Sequence, residues 1–426
     1  PFGAANLGFP AVIRRILRIV IQILRSFPAL ILALTATFLF GLGTFAGTFA
    51  ITLYTFAIMT KLTYEDASAA DVKAYQALRA MGVSKYVAYI HGILPEIIPG
   101  FLTNALYLLE TNVRHSSILG YVGAGGIGLL LNEKISWLEY DKVGTILLML
   151  FLTVCVIEYF SRYLAALIRK ERTIKKEQAR LLLLFLAALF LICTFTLSLP
   201  DFSRTSPQTL RNMFAGFLQP DWSFFFSAEK DGLGYLLLET VCIAFIGTVI
   251  GAIVSAPLAF LNTKRFVPAP VSFLFNLVIM VIRSVPFLVY GLIFIRVSGP
   301  GAFTGVLTLA VCSIGLLTKR FTEALDALDP RPYHALLAMG VRPLPAICHS
   351  VLPQLKPVFT SIILYRFDVN IREASVLGLV GAGGIGAPLI FSMNQYAWEK
   401  AGAIMLGLIL LVWFIDMVSE KIGAGN

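Results

Sequence analysis

The sequence predicts an all-α polytopic membrane protein made of two parallel repeats of one helical unit. Three observations carry that prediction. The chain is 58% hydrophobic and only 14% charged, with a mean hydropathy of +0.83, whereas a soluble domain carries about 25% charged residues. No interior of a chain this size could hold so much apolar surface, so the solvent for most of it must be lipid. Apolar runs such as 181–199 and 235–261 meet the roughly 20-residue length that a membrane helix requires. Finally, Ser117–Gly128 (SILGYVGAGGIG) and Ser375–Gly386 (SVLGLVGAGGIG) agree at ten of twelve positions with an offset of 258.

These facts exclude a soluble enzyme, a disordered linker and a nucleic-acid-binding protein. The formal charge of +10, from 34 basic and 24 acidic residues, instead fits topology, because Lys and Arg collect in cytoplasmic loops. Five cysteines occur without a CxxC pair. They read as small apolar residues rather than a disulfide framework or a zinc site.

The same offset runs through the first copy almost from its start. It pairs Arg25-Ser26-Phe27-Pro28 with Arg283-Ser284-Val285-Pro286, Ala80–Val83 with Ala338–Val341, Leu94-Pro95 with Leu352-Pro353, and Glu158 with Asp416. The pattern gives first-copy helices near 12–36, 43–60, 95–116 and 142–166. In the second copy they fall near 181–199, 235–261, 271–297, 302–318, 353–375 and 400–420. The resulting organisation is a first domain over 1–170, a basic cytoplasmic linker over 171–180 and a second domain over 181–426. The first copy has no counterpart of residues 181–267, so two more helices are expected ahead of Pro1, twelve in all. Residues 162–180 hold seven basic and two acidic residues, which places them in the cytoplasm. The 200–234 stretch, with three basic and four acidic residues, lies outside. Arg14, Arg15 and Arg18 keep the start of the first copy inside. Each copy therefore begins and ends in the cytoplasm, unlike an inverted repeat.

Between the spans ending near 60 and starting near 95 lies a polar segment with a helical ridge of Ala77, Leu78, Met81 and Val83. Such a ridge suits a short helix docking in a protein groove. Gly82 and Gly340 break the helix or permit close approach. A merely solvated connection is the plainer reading, and recurrence of the pattern in both copies speaks against it.

At this point the segment resembles the coupling loop of binding-protein-dependent ABC importer permeases, whose pattern is Glu-Ala-Ala-x3-Gly-x9-Ile-x-Leu-Pro. Gly82 is followed by nine residues, then Gly92, Ile93 and Leu94-Pro95 at the family spacing, and Gly340 by nine residues, then Ser350, Val351 and Leu352-Pro353. Gln76-Ala77 and His334-Ala335 occupy the Glu-Ala position, so the acid is absent from both copies. The resemblance implies a MetI-like helical fold, a bacterial inner-membrane location, and docking of a cytoplasmic ATPase dimer on loops 61–94 and 319–352. It also implies delivery of substrate by an extracytoplasmic binding protein. ATP and magnesium would be bound by the ATPase, since this chain has no G-x-x-x-x-G-K-[ST] loop and needs no cofactor of its own.

Gly123, Gly125, Gly126 and Gly128, like Gly381, Gly383, Gly384 and Gly386, satisfy G-x-G-x-x-G. The stretch follows a membrane helix rather than a strand, so nucleotide binding is rejected. Two readings stay open: tight helix packing, or a gate along the pathway. Read from Asn112 and Asn370, the stretch resembles permeases of phosphonate-type importers. That resemblance implies a small phosphorus oxyanion (phosphonate, phosphite or phosphate) as cargo, and two permease copies fused in one chain.

Ionisable residues inside lipid cost about 2.5–3.5 kcal/mol or more, so each is a functional candidate. Tyr107, Glu110 and Arg114 share one helix face, as do Tyr365, Asp368 and Arg372. They would face the translocation pathway, or else Glu110–Arg114 and Asp368–Arg372 neutralise each other within the helix. Arg25 and Arg283, each three residues before a proline, are the other cationic candidates for an oxyanion. The rival functions are an importer for another small solute such as an amino acid, and an ion-coupled secondary transporter. No catalytic constellation and no metal-spaced cluster occurs, so the chain is not expected to be an enzyme.

Overall fold

The structure is a computed structural model that describes residues 11–168, 176–197, 207–227, 229 and 232–424. Residues 1–10, half of the linker (171–175) and the start of the outer stretch (200–206) lie outside the described residues. No strand occurs among the described residues. Contacts divide the chain into two compact units, Pro1–Pro207 and Gln208–Asn426.

The first unit runs α1 (Ala11–Ser26), α2 (Ala29–Phe40), α3 (Thr44–Ala69), α4 (Lys73–Ala80), α5 (Lys85–Gly92), α6 (Leu94–Leu119), α7 (Ile127–Ser136), α8 (Tyr140–Ile168) and α9 (Lys176–Phe195). The second runs α10 (Pro207–Leu218), α11 (Trp222–Phe225), α12 (Leu233–Asn262), α13 (Ala269–Ser284), α14 (Phe287–Ser298), α15 (Ala302–Ala327), α16 (Arg331–Ala338), α17 (Pro343–Ala346), α18 (Leu352–Leu377), α19 (Gly386–Asn394) and α20 (Trp398–Ala424). From α13 onward the second unit repeats the first, element for element. By contacts α9 groups with the first unit, while the repeat counts it with the second copy. Its described side chains are almost all exposed.

Among the described residues, six helices are long and apolar enough to cross a membrane, or nine if each bent pair counts as one span. These nine correspond to nine of the ten spans expected from sequence. Two of them are not the straight helices expected. The span over 12–36 bends by 86° between α1 and α2, and that over 271–297 by 85° between α13 and α14. The cause is Pro28 and Pro286, which lack an N–H and hold the chain extended (ψ 146° and 144°) ahead of the next helix.

Packing follows the rule for helices in lipid, where close approach replaces the hydrophobic effect. Gly247 and Gly251, four apart on α12, lie against α15. A Cβ there would sit 2.8 Å from the Leu309 Cβ and 2.5 Å from the Ser313 Cβ. The second unit's core then gathers Ile243, Leu309, Ile371, Leu377 and Val412 from α12, α15, α18 and α20. A second cluster lies beneath the loop that holds α16, built from Leu317, Phe321, Leu325, Val351 and Leu355.

Candidate functional site

Both polar loops fold into a helix, a glycine turn and a second helix. In the first, the Asp71 carboxylate accepts from the backbone N–H of Lys73 at 3.0 Å and opens α4. That hydrogen bond holds the Asp71 carboxyl below its usual range. In the second, Asp329 does the same for Arg331 at 3.0 Å, opening α16. The turn that follows needs positive φ, +84° at Gly82 and +80° at Gly340, and a Cβ at either would meet nothing within 4 Å. These glycines therefore serve backbone conformation, not close approach. Close approach belongs to Gly92, where a Cβ would lie 2.8 Å from the backbone N of Tyr75.

Each loop is fastened to its spans by a tyrosine at matching positions. Tyr75 packs on Ala67, Ile93 and Ile97, and Tyr333 packs on the cluster around Phe321 and Leu355. What faces outward is then sharply defined. Gln76, Ala77, Gly82 and Pro95 are exposed, with Leu94 half-buried, and so are His334, Ala335, Gly340, Leu352 and Pro353. Met81 and Met339 are prominent apolar points, 70% and 78% exposed, with Tyr86 and Leu344 beside them at 74% and 73%. The second loop does not end in a plain helix, because residues 347–351 form a π-turn leading into α18.

The glycine-rich stretches are packed corners. Gly123, Gly125, Gly126, Gly381, Gly383 and Gly384 all have φ between +76° and +91°. Gly128 and Gly386 are instead places of contact, where a Cβ would lie 2.1 Å from the Ser117 carbonyl oxygen and 2.3 Å from that of Ser375. Each corner is tied to the preceding loop by one backbone bond, Gly43 N–H to Gly123 O at 3.0 Å and Gly301 N–H to Gly381 O at 2.9 Å. Gly47 and Gly305 make room for it on α3 and α15.

Arg114 is paired with Glu110, and Arg372 with Asp368, one turn apart on α6 and α18. These pairs are largely buried while Tyr107 and Tyr365 are 45% and 60% exposed, so the stripe splits into a tucked ion pair and an outward ring. Asn112 donates to the Thr55 hydroxyl at 2.8 Å. Its mate Asn370, fully buried, donates to Ser313 at 2.9 Å and Thr248 at 2.6 Å. The asparagines thus join α6 to α3, and α18 to α15 and α12. Arg25 and Arg283 occupy the last turns of α1 and α13, next to the two proline breaks. There the negative end of the helix dipole favours a cation. No group of three or more His, Cys, Asp and Glu is placed to hold a metal among the described residues.

One polar pair escaped the sequence reading. Arg366, 4% exposed, bonds Glu373 at 2.8 Å and reaches the Ser313 hydroxyl with Nε at 3.1 Å. Its mate in the first unit is Leu108, and that of Glu373 is His115. A comparison that follows only what the copies share passes over it. The signal was an Arg inside a membrane span, set between Tyr365 and Phe367.

The model of binding-protein-dependent transport system inner membrane components matches residues 2–174 and again 247–422. The chain belongs to that family. As a member, it is an inner-membrane transport component in which the family's domain occurs twice. The chain is 28% identical over 425 residues to the phosphate-import permease protein PhnE of Mycolicibacterium smegmatis, covering 98% of this chain and 79% of that protein. It is 36% identical over 184 residues to the phosphite transport system permease protein PtxC of Stutzerimonas stutzeri, covering 43% of this chain and 67% of that one. Among solved structures, a chain of the MetNI methionine ABC transporter is similar over 45% of this chain and 96% of its own, at 18% identity and a TM-score of 0.41.

Proposed function

We propose that this chain carries both permease halves of an ABC importer for phosphorus oxyanions, moving phosphate, phosphite or phosphonate into the cytoplasm. A separate ATPase dimer, which binds the ATP and magnesium, would dock on the loops around Met81 and Met339. An extracytoplasmic binding protein would supply the cargo. The observation that carries the reading is the pair of matching loops, each fixed to its spans by one tyrosine and each presenting an exposed methionine before a glycine turn. The choice of cargo rests on the named relatives, one of which covers nearly the whole chain. Coupling in this reading is by alternating access, with motion of the ATPase dimer passed through α4–α5 and α16–α17 into α6 and α18. The ion pairs Glu110–Arg114 and Asp368–Arg372 would then stabilise the helices that move, and Arg25 and Arg283 would stand beside hinges at Pro28 and Pro286.

The test is uptake of labelled phosphate, phosphite and a phosphonate into proteoliposomes holding this chain, its ATPase and its binding protein. ATP-dependent uptake of at least one is expected. In Met81→Asp/Met339→Asp, uptake should fall to background while the chain stays folded, because both side chains are exposed. Uptake driven by an ion gradient with no ATPase present would overturn the reading in favour of a secondary transporter. ATP-driven uptake of an amino acid alone would keep the coupling and reject the cargo.

A further inference from the structure

The outer segment ahead of α12 carries an apolar face apart from the loops and helices considered above. Phe214, Leu218, Trp222 and Phe226 recur every four residues across α10 and α11, and they are 55%, 83%, 55% and 74% exposed. Trp222 lies 5.6 Å from the ring of Phe225 and 6.1 Å from that of Phe226, so the α11 end of this row is a joined aromatic cluster. Soluble surfaces seldom leave such a patch in water.

The height of this face is fixed by what α10 rests on. Met213 is 1% exposed and points inward. A Cβ on Gly216 would lie 2.3 Å from the Trp398 Cβ, and one on Gly402 would lie 2.7 Å from the Gly216 carbonyl oxygen. The Phe217 ring meets Trp398 edge-on at 6.2 Å, and the Asp221 N–H donates to the Glu399 carbonyl at 3.1 Å. Thus α10 and α11 sit directly on the first turn of α20, whose apolar span begins at Trp398. By the loop charges this is the outer end of that span. A helix seated there lies at the level of the lipid headgroups, too low to project into the extracytoplasmic space.

We propose that Phe214, Leu218, Trp222 and Phe226 form an interfacial anchor buried in the outer leaflet, with the phospholipid surface as their partner. Aromatic rings are favoured at that depth, and an amphipathic helix lies there with its apolar face toward the acyl chains. The surface adjoins the start of α12, whose Tyr235 and Leu238 are exposed along a membrane span. Arg211, exposed on α10, supplies a cation for headgroup phosphate, and α10 contains no acidic residue. The anchor would hold the first outer element flat on the membrane and leave the mouth of the permease clear for the binding protein.

The test uses the full chain in liposomes of phosphatidylcholine and phosphatidylglycerol, without substrate. The difference in tryptophan fluorescence between wild type and Trp222→Phe isolates Trp222. Lipid brominated near the headgroup should quench that difference about twofold or more beyond lipid brominated near the chain terminus, and aqueous acrylamide should quench it weakly. Trp222→Phe/Phe226→Trp gives a second reporter on the same face, should the single substitution disturb folding. Strong quenching by acrylamide with none by either brominated lipid would overturn the proposal. So would loss of the lipid quenching when the binding protein is added, which would assign the face to protein docking. Neither outcome depends on which solute the permease carries.

Discussion

Gly82 and Gly120 show two different demands that a glycine can meet, and they fail differently when replaced. At Gly82 and Gly340 the space is open and only the positive φ resists a side chain, at a cost of about 1–2 kcal/mol for an L-residue. At Gly120 and Gly378 the φ is ordinary helix (−59° and −57°). There a Cβ would fall 2.3 Å from the Leu129 backbone N, or 2.5 Å from that of Gly386. Gly82→Ala/Gly340→Ala should therefore fold, with its thermal midpoint lowered by about 5–10 °C, and lose ATPase-coupled uptake. Gly120→Ala/Gly378→Ala should instead be recovered poorly from membranes and lose monodispersity in size-exclusion chromatography. Equal loss of folded protein in both variants would contradict this division. The sequence motif made the glycine-rich stretch conspicuous, but it could not separate these roles, because both are written with the same letter. Backbone φ and the neighbour on the far side of the missing Cβ distinguish them.

At the scale of the element, the two units keep their shared helices and differ in what fastens them. In the second, Arg366 and Glu373 place a charge pair inside the bundle beside Ser313; in the first, Leu108 and His115 stand there. Removing one partner of a buried pair leaves the other charge without compensation, which costs about 3–5 kcal/mol, whereas replacing both can be nearly neutral. Arg366→Leu should thus lower the thermal midpoint of the purified chain markedly, and Arg366→Leu/Glu373→His, which copies the first unit, should recover most of it. A double variant no more stable than the single would show that the pair is not the unit of stability. Sequence showed where the spans run, since hydropathy and the repeat both report it. It did not show that Pro28 and Pro286 turn two of them by more than 80°. Prolines occur inside α6 and α18 as well, at Pro99 and Pro357, without ending those helices. Position alone does not set the contrast, since Pro257 lies deep inside α12 without ending it; Pro28 and Pro286 differ in their own backbone, held extended at ψ 146° and 144°.

For the whole molecule, duplication makes a demand on topology that no single element reveals. One ATPase dimer can engage both loops only if both lie on the same face of the membrane, which parallel repeats provide and inverted repeats do not. The loop charges argue for the cytoplasm at residues 162–180, and the offset of 258 carries that assignment to both copies. The two loops are nonetheless unequal: Gln76, Arg79 and Lys85 in the first correspond to His334, Leu337 and Pro343 in the second. A symmetric ATPase would have to accept two different plugs through the parts they share, above all Met81 and Met339. The chain carries its own reporter for this arrangement, because Cys348, in the second loop, is exposed. A membrane-impermeant maleimide should label Cys348 in inside-out vesicles and leave it unlabelled in right-side-out ones. In a Cys348→Ser background, Met81→Cys should label from that same side, and the ATPase should protect both positions. Labelling of the two loops from opposite sides would make the repeats inverted, and a single ATPase dimer could not then drive them.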